Sequence, residues 1–190
     1  MGLSGRLIDF GFVMMRKYTL ALLTTLATAC TTTPKITDTF TGTVTKVHDG
    51  DSIHITPAGQ KRVIIRLAGI DAPELKQPFG IASRDKLRSM ILNRPAEAKC
   101  HKTDRYQRQV CVVYFNGEDV NLQMVRAGMA WHYKEYQNEQ SRWQRWEYSR
   151  AEGKARSGGL GLWGRESIAP WEFRKLAEDS RTLSGFVFNE

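Results

Sequence analysis

The sequence predicts an α+β fold: a five-stranded OB-type Greek-key barrel with about three helices. Three observations predict it. Five short stretches rich in Val, Ile and Thr read as strands bounded by turn residues. A segment of helical period stands between the third and the fourth. Two further helical segments follow the fifth. The order of three strands, helix, two strands and two helices matches a barrel whose open face commonly binds oligonucleotides.

Residues 39–47 are dense in Thr and Val and form the first strand. Asp49-Gly50-Asp51 is a turn signal, and residues 52–56 continue as a second strand with Ile53 and Ile55 on one face. Residues 57–60 turn the chain into a third strand, 61–67. Its alternation puts Val63, Ile65 and Leu67 on one face, Ile64 and Arg66 on the other. Residues 78–92 change period, with Ile81, Leu87, Met90 and Ile91 on one side of a helix. Residues 97–101 and 109–115 are the two strands of a hairpin around Asp104-Arg105-Tyr106, and Asn116-Gly117 is another turn. Residues 120–127 are a short helix ended by Gly128. A longer helix over 139–156 carries Trp143 and Trp146 and stops at Gly158 and Gly159. Trp163, Pro170 and Trp171 fall in an irregular C-terminal segment. These late tryptophans are expected to pack against the small barrel.

The chain has 190 residues, 41% of them hydrophobic, enough for one core and too apolar for wholesale disorder. A net charge of +8 favours a polyanionic partner, either nucleic acid or an anionic membrane surface. Arg16 and Lys17 precede a run of apolar and small residues that ends Ala27-Thr28-Ala29-Cys30, the pattern of a secretory signal peptide. The run is too short to span a bilayer comfortably. Cys30 stands where a bacterial lipobox carries its lipidated Cys, so membrane anchoring through Cys30 is expected. The expected organisation is therefore a signal peptide over 1–30, a Thr-rich linker over 31–38, a globular domain over 39–175 and a tail over 176–190. Removing residues 1–30 takes away Arg6, Arg16, Lys17 and Asp9 and leaves +6, so the basic character belongs to the folded part. The expected location is outside the cytoplasm: periplasmic, membrane-anchored or secreted. Cys100 and Cys111 lie symmetrically about the tip of the proposed hairpin, and in an oxidising compartment they are expected to form a disulfide.

Several chemistries are excluded. The chain has no G-K-[ST] phosphate loop, no G-x-S-x-G nucleophile elbow and no H-E-x-x-H zinc motif, and its four histidines are scattered. An EF-hand would need an acid where Gln60 stands. What remains is a set of carboxylates and arginines. Asp51 closes the first turn, Asp71 and Glu74 flank Pro73 after the third strand, Arg66 lies on that strand, and Arg108 follows the hairpin tip. Two aspartates could hold a hard cation through oxygen. A nearby glutamate could activate water, and two arginines could neutralise a five-coordinate phosphorus. Singly, each has a plainer reading: Asp49-Gly50-Asp51 as a turn, Asp71-Ala72-Pro73-Glu74 as a helix lead-in, Arg66 as a solvated strand residue, Arg108 as the partner of Asp104.

The combination is more specific. Residues 47–52 (Val-His-Asp-Gly-Asp-Ser), 65–74 (Ile-Arg-Leu-Ala-Gly-Ile-Asp-Ala-Pro-Glu) and 103–108 (Thr-Asp-Arg-Tyr-Gln-Arg) resemble the staphylococcal nuclease family in order and spacing. So do residues 120–130, Gly161-Leu162-Trp163 and Pro170-Trp171-Glu172-Phe173-Arg174, the last as in the family's bacterial secreted branch. The resemblance implies a calcium-dependent phosphodiesterase that cuts DNA and RNA with little sequence preference and leaves 3′-phosphate ends. It implies Asp51, Asp71 and the main-chain carbonyl of Ala72 as calcium ligands. It implies Glu74 as the group that activates water, and Arg66 and Arg108 as phosphate ligands. Arg105 and Tyr106 fall where the family contacts a terminal phosphate, and Tyr133 and Tyr136 offer stacking faces for bases. A monomer is expected. Ala72 replaces a common Thr, Gln107 replaces a common Gly before Arg108, and the segment between Glu74 and the first helix is shorter than in the staphylococcal enzyme. The rival reading is a non-catalytic nucleic-acid-binding barrel.

Overall fold

The computed structural model describes residues 35–187. The expected signal peptide, Cys30 and the first residues of the expected linker lie outside them.

The strands follow the alternation of the sequence. β1 (Asp38–Val47) pairs antiparallel with β2 (Ser52–Pro57), which pairs antiparallel with β3 (Val63–Leu67). A two-residue β4 (Ile70–Asp71) and helix α1 (Gly80–Ile91) come next. β5 (Pro95–Thr103) returns beside β1 and turns into β6 (Gln109–Phe115). β6 then runs parallel to β3, with Arg66 opposite Val110, and this seam closes the five-stranded barrel. Every second residue points inward. Val44, Ile53, Ile55, Ile65, Leu67, Ala98 and Val113 are all fully buried. At the β5–β6 pairing Cys100 lies opposite Cys111, and the two are disulfide-bonded with Cα atoms 3.9 Å apart.

Helices cover one end of the barrel. α1 buries Gly80, Ser83, Leu87 and Ile91, a stripe at helical spacing. Ile81 lies off that stripe and is exposed, contrary to the face read from the sequence. After β7 (Glu118–Asp119), α2 (Val120–Arg126) is capped by the Asp119 carboxylate, which accepts from the Leu122 N–H at 2.9 Å. The fully buried Asn121 donates to the carbonyls of Ala68 (3.0 Å) and Cys111 (3.1 Å) and accepts from the Val113 N–H (3.1 Å). It pins the chain leaving β3 to β6.

The last third differs most from expectation. β8 (Trp131–His132) pairs with β4, setting Trp131 opposite Asp71. A 3-10 segment (Lys134–Glu139) ends at the residue where the long helix was expected to start. That helix, α3 (Arg142–Ser157), begins at Ser141, whose side chain and that of Gln144 form a reciprocal capping box. The C-terminal segment expected to be irregular instead contains α4 (Pro170–Val187), which runs without a break across the domain–tail boundary expected after residue 175. Pro at the first helical position and Glu172 in the first turn both favour it. Trp163 and Trp171 pack edge-on against Trp131 as expected of core aromatics. Trp143 and Trp146 do not: they stack on each other at 4.8 Å on the exposed face of α3.

Candidate active site

The strand pairings place three charged residues at one mouth of the barrel. Ser52 lies opposite Arg66, so Asp51, one residue earlier, sits beside the Arg66 side chain, and its carbonyl accepts from the Leu67 N–H at 2.8 Å. The parallel seam brings the start of β6, and hence Arg108, to the same end. Two glycines allow the close packing. Gly69 takes φ +71° to reverse the chain between β3 and β4, a conformation that costs other residues steric strain. Gly50 packs so tightly that a Cβ would fall 1.9 Å from the Ser83 hydroxyl and 2.6 Å from the Ala72 methyl.

Arg66 lies between the two aspartates. Its Nη2 is 2.9 Å from Asp71 Oδ1 and 3.2 Å from Asp51 Oδ2. Its Nη1 donates to the carbonyls of Leu67 (2.6 Å) and Ile70 (2.9 Å), which fixes the plane of the guanidinium. Asp51 Oδ2 also accepts from the Ala72 N–H at 2.7 Å, so the backbone of Ala72 is part of the same cluster. Both aspartates are buried. Burial pushes the Asp51 carboxyl up to about 8, with Arg66 pulling it down and Asp49 and Asp71 pushing it further up. Burial raises Asp71 as well, against hydrogen bonding from Arg174 and the charge of Arg66. Two buried carboxylates that share one guanidinium nitrogen call for positive charge between them.

Glu74 stands next to this pair, half-exposed, its N–H donated to Gln77 Oε1 at 3.2 Å. Its carboxylate is held by Arg174, which was given no role in the sequence reading. Arg174 Nη1 is 2.8 Å from Glu74 Oε1 and Nη2 is 2.8 Å from Asp71 Oδ2. The fork bridges the two acids.

The remaining expected residues line the walls of the same cleft, which encloses about 630 Å³. Arg108 does not join the aspartate cluster directly. Its Nε donates to Asp104 at 2.8 Å, and its guanidinium lies 5.3 Å from the centre of the Tyr106 ring. Arg105 lies against the same ring at 4.8 Å. Asp104 organises this tip: its Oδ1 accepts from the N–H groups of Tyr106 and Arg108, both at 2.9 Å. Gln107 between them takes φ +62°, the conformation for which glycine is suited. Tyr136 packs edge-on against Tyr133, and Lys102 lies 4.9 Å from the Tyr136 ring centre. One face of Tyr133 is covered by Trp171, with centroids 5.4 Å apart and planes 8° from parallel.

Among the described residues no group of three or more His, Cys, Asp or Glu side chains is disposed to hold a metal ion. Side-chain ligands to a cation would therefore number two, Asp51 and Asp71, supplemented by backbone oxygen and water. An all-oxygen set of this kind suits a hard, partly hydrated cation and not a soft one.

The geometry is that of a polyanion cleft in a small barrel: acids on its floor, guanidinium groups beside them and aromatic rings along its wall. The model of the staphylococcal nuclease homologue family matches residues 64–165. A protein of Haemophilus influenzae described as an uncharacterized endonuclease is 37% identical over 133 residues, 70% of this chain and 71% of that one. An uncharacterized endonuclease of Escherichia coli is 36% identical over 135 residues, 70% of this chain and 84% of that one. The staphylococcal-like nuclease CAN1 of Arabidopsis thaliana is 38% identical over 116 residues, 60% of this chain but only 34% of its own length. The chain belongs to the staphylococcal nuclease family.

Proposed function

We propose that this protein is a calcium-dependent phosphodiesterase that hydrolyses DNA and RNA with little sequence preference and leaves 3′-phosphate ends. The observation that carries the reading is the buried Asp51–Arg66–Asp71 cluster with Glu74 beside it, at the mouth of a basic barrel. Asp51, Asp71 and the Ala72 carbonyl would hold the calcium ion. When bound, it supplies positive charge against the phosphate oxygens and lowers the cost of forming the nucleophile. Glu74 accepts the proton of the attacking water. Arg66 and Arg108 donate to the non-bridging oxygens as charge builds at phosphorus. Arg105 and Tyr106, on the hairpin tip beside Arg108, contact a neighbouring phosphate, and Tyr136, with Tyr133 packed against it, meets bases. The 5′ oxygen leaves and is protonated, and the phosphate remains on the 3′ side.

The segment over 1–30 and the Cys100–Cys111 bond support export, with Cys30 as the site of a lipid anchor and the domain acting as a monomer. The test is incubation of the mature protein with plasmid DNA and with a single-stranded RNA, with calcium and with a chelator. Cleavage of both that stops on chelation, with ends that accept a ligase only after phosphatase treatment and 5′ phosphorylation, is the expected outcome. Cleavage that survives exhaustive chelation removes calcium from the reading. Binding without cleavage makes the chain a nucleic-acid-binding barrel.

A further inference from the structure

Arg174 lies beyond residues 64–165, which the family model matches, and 100 residues after the glutamate it holds. Its presence in the cleft is imposed by packing. Trp171, one turn earlier on α4, lies flat on Tyr133 and edge-on to Trp131, and Trp131 is the β-bridge partner of Asp71. The segment leading into α4 is tied to the turn of Glu74 by one buried side chain. Gln77 Nε2 donates to the Ile168 carbonyl at 2.5 Å while its Oε1 accepts from the Glu74 N–H. Helix and turn are thus docked together, and Arg174 spans the gap between Asp71 and Glu74.

Arg174 has one arm on Asp71 Oδ2, an oxygen on a residue the proposed calcium ion needs. A cation arriving there meets a like charge and competes for the same carboxylate. The guanidinium side chain is still 43% exposed, so it is free to turn once that arm is displaced. Its two donors, which now grip two carboxylates, match the paired oxygens of a phosphodiester equally well.

We propose that Arg174 is a third substrate-binding arginine of the active site, held on Asp71 and Glu74 in the cation-free protein and transferred to the phosphodiester anion when the cation takes Asp71. This rests on the reading of Asp51 and Asp71 as cation ligands. It makes two outcomes run in opposite directions. Arg174 weakens cation binding while the cleft is free of nucleic acid, and it speeds cleavage once both cation and substrate are present. A residue of merely structural importance would weaken both on removal.

The experiment measures two quantities on the mature protein and on Arg174→Ala and Arg174→Gln. The first is calcium affinity without nucleic acid, by calorimetry. The second is single-turnover cleavage of a short oligonucleotide at saturating calcium. Both variants are expected to bind calcium about tenfold more tightly than the parent and to cleave about 10²-fold more slowly. Arg174→Lys is expected to recover calcium affinity close to the parent and only part of the rate. Lys175→Ala, exposed on the same helix, is expected to change neither. Calcium affinity that is unchanged or weaker in both variants, or cleavage within about twofold of the parent, overturns the proposal. Asp51→Ala separates this from the underlying reading. If it abolishes calcium binding while the Arg174 variants behave as the parent, the site stands and Arg174 falls. If the parent itself binds no calcium, both fall.

Discussion

Trp171 lies flat on Tyr133, with ring centroids 5.4 Å apart and planes 8° from parallel. This contact links the C-terminal helix to the floor of the cleft. The Tyr133 N–H donates to the Gly69 carbonyl at 2.9 Å, and Gly69 opens the turn into Ile70 and Asp71. The chain thus couples a helix at its end to an aspartate near its middle through one ring pair and one backbone hydrogen bond.

Trp171→Ala is expected to cost about 2–3 kcal/mol, less than a fully buried Trp because the ring is only partly buried. A double-mutant cycle with Tyr133→Ala should give a coupling of about 0.5–1.5 kcal/mol for the stacked pair. Urea unfolding of the four proteins measures it. A coupling indistinguishable from zero means that α4 is not docked on Tyr133 in solution.

The barrel was legible in its alternation, whereas Asp51, Asp71 and Glu74 were joined to Arg66 as one site only by the family resemblance. Val63, Ile65 and Leu67 alternate with Ile64 and Arg66, so the strand and the outward direction of Arg66 come from one pattern. The disulfide followed from hairpin symmetry. β4 and β8 were not legible, because two-residue strands have no period to detect. α4 left a signal that was passed over, Pro170 followed by Glu172, but its many charged residues obscure an apolar stripe. No local pattern could place Arg174 against Asp71 and Glu74, since that contact depends on where Trp171 docks. The exposure of Trp143 and Trp146 was equally hidden, because composition does not say which face of α3 meets the barrel.

The Cys100–Cys111 bond closes a loop of sequence separation 11 on the hairpin that carries Arg108. Its loss should cost on the order of 2–3 kcal/mol. For a domain of this size that lowers the thermal midpoint by about 5–10 °C. The Cys100→Ala/Cys111→Ala variant and the parent in reductant should agree. Equal midpoints for oxidised and reduced parent would show that the bond contributes nothing to stability.

Gln107 takes φ +62° on an exposed hairpin tip, and its own N–H bonds to the Asp104 carbonyl at 3.0 Å. Glycine adopts this conformation without the Cβ clash. Against its greater freedom in the unfolded chain, Gln107→Gly should still stabilise by about 0.5–1 kcal/mol. The side chains of Asp104 and Arg108 keep their contacts, so cleavage should change little. Chemical denaturation decides the sign, and a destabilised variant would mean that the tip is not strained at this residue.

His132 is buried, with Nε2 2.8 Å from Gln140 Oε1 and Nδ1 3.1 Å from the Ser149 hydroxyl. Burial pushes its pKa below 6.5, with the Gln140 bond opposing and Lys134 adding to the fall. The folded protein therefore favours the neutral ring. Between the folded pKa and 6.5 the unfolded chain binds more protons, so this contribution is complete above pH 6.5 and is lost as pH falls through the folded value. Thermal midpoints at pH 7.5 and 5.5 should drop on acidification, and His132→Gln should reduce that drop. An identical drop in parent and variant assigns the acid sensitivity elsewhere.

Glu74 and Arg108 carry the clearest chemical prediction. Glu74→Gln keeps size and shape and can still accept from Arg174 through its side-chain oxygen, so stability should hardly change. In the proposed mechanism it removes the group that accepts the water proton, and a general base contributes about 10²–10⁴-fold. Arg108→Lys keeps the charge beside Tyr106 but loses the planar fork that could hold two phosphate oxygens, so it should not rescue activity. Asp51→Ala differs in kind: it should act mainly by weakening the response to calcium. Single-turnover cleavage of a short oligonucleotide at saturating enzyme and calcium separates these cases, because it reads the chemical step apart from substrate capture. If Glu74→Gln and Arg108→Lys both cleave within a few-fold of the parent, the cleft binds nucleic acid without these residues acting on phosphorus. Arg108 would then be the partner of Asp104, and Glu74 the partner of Arg174, and nothing more.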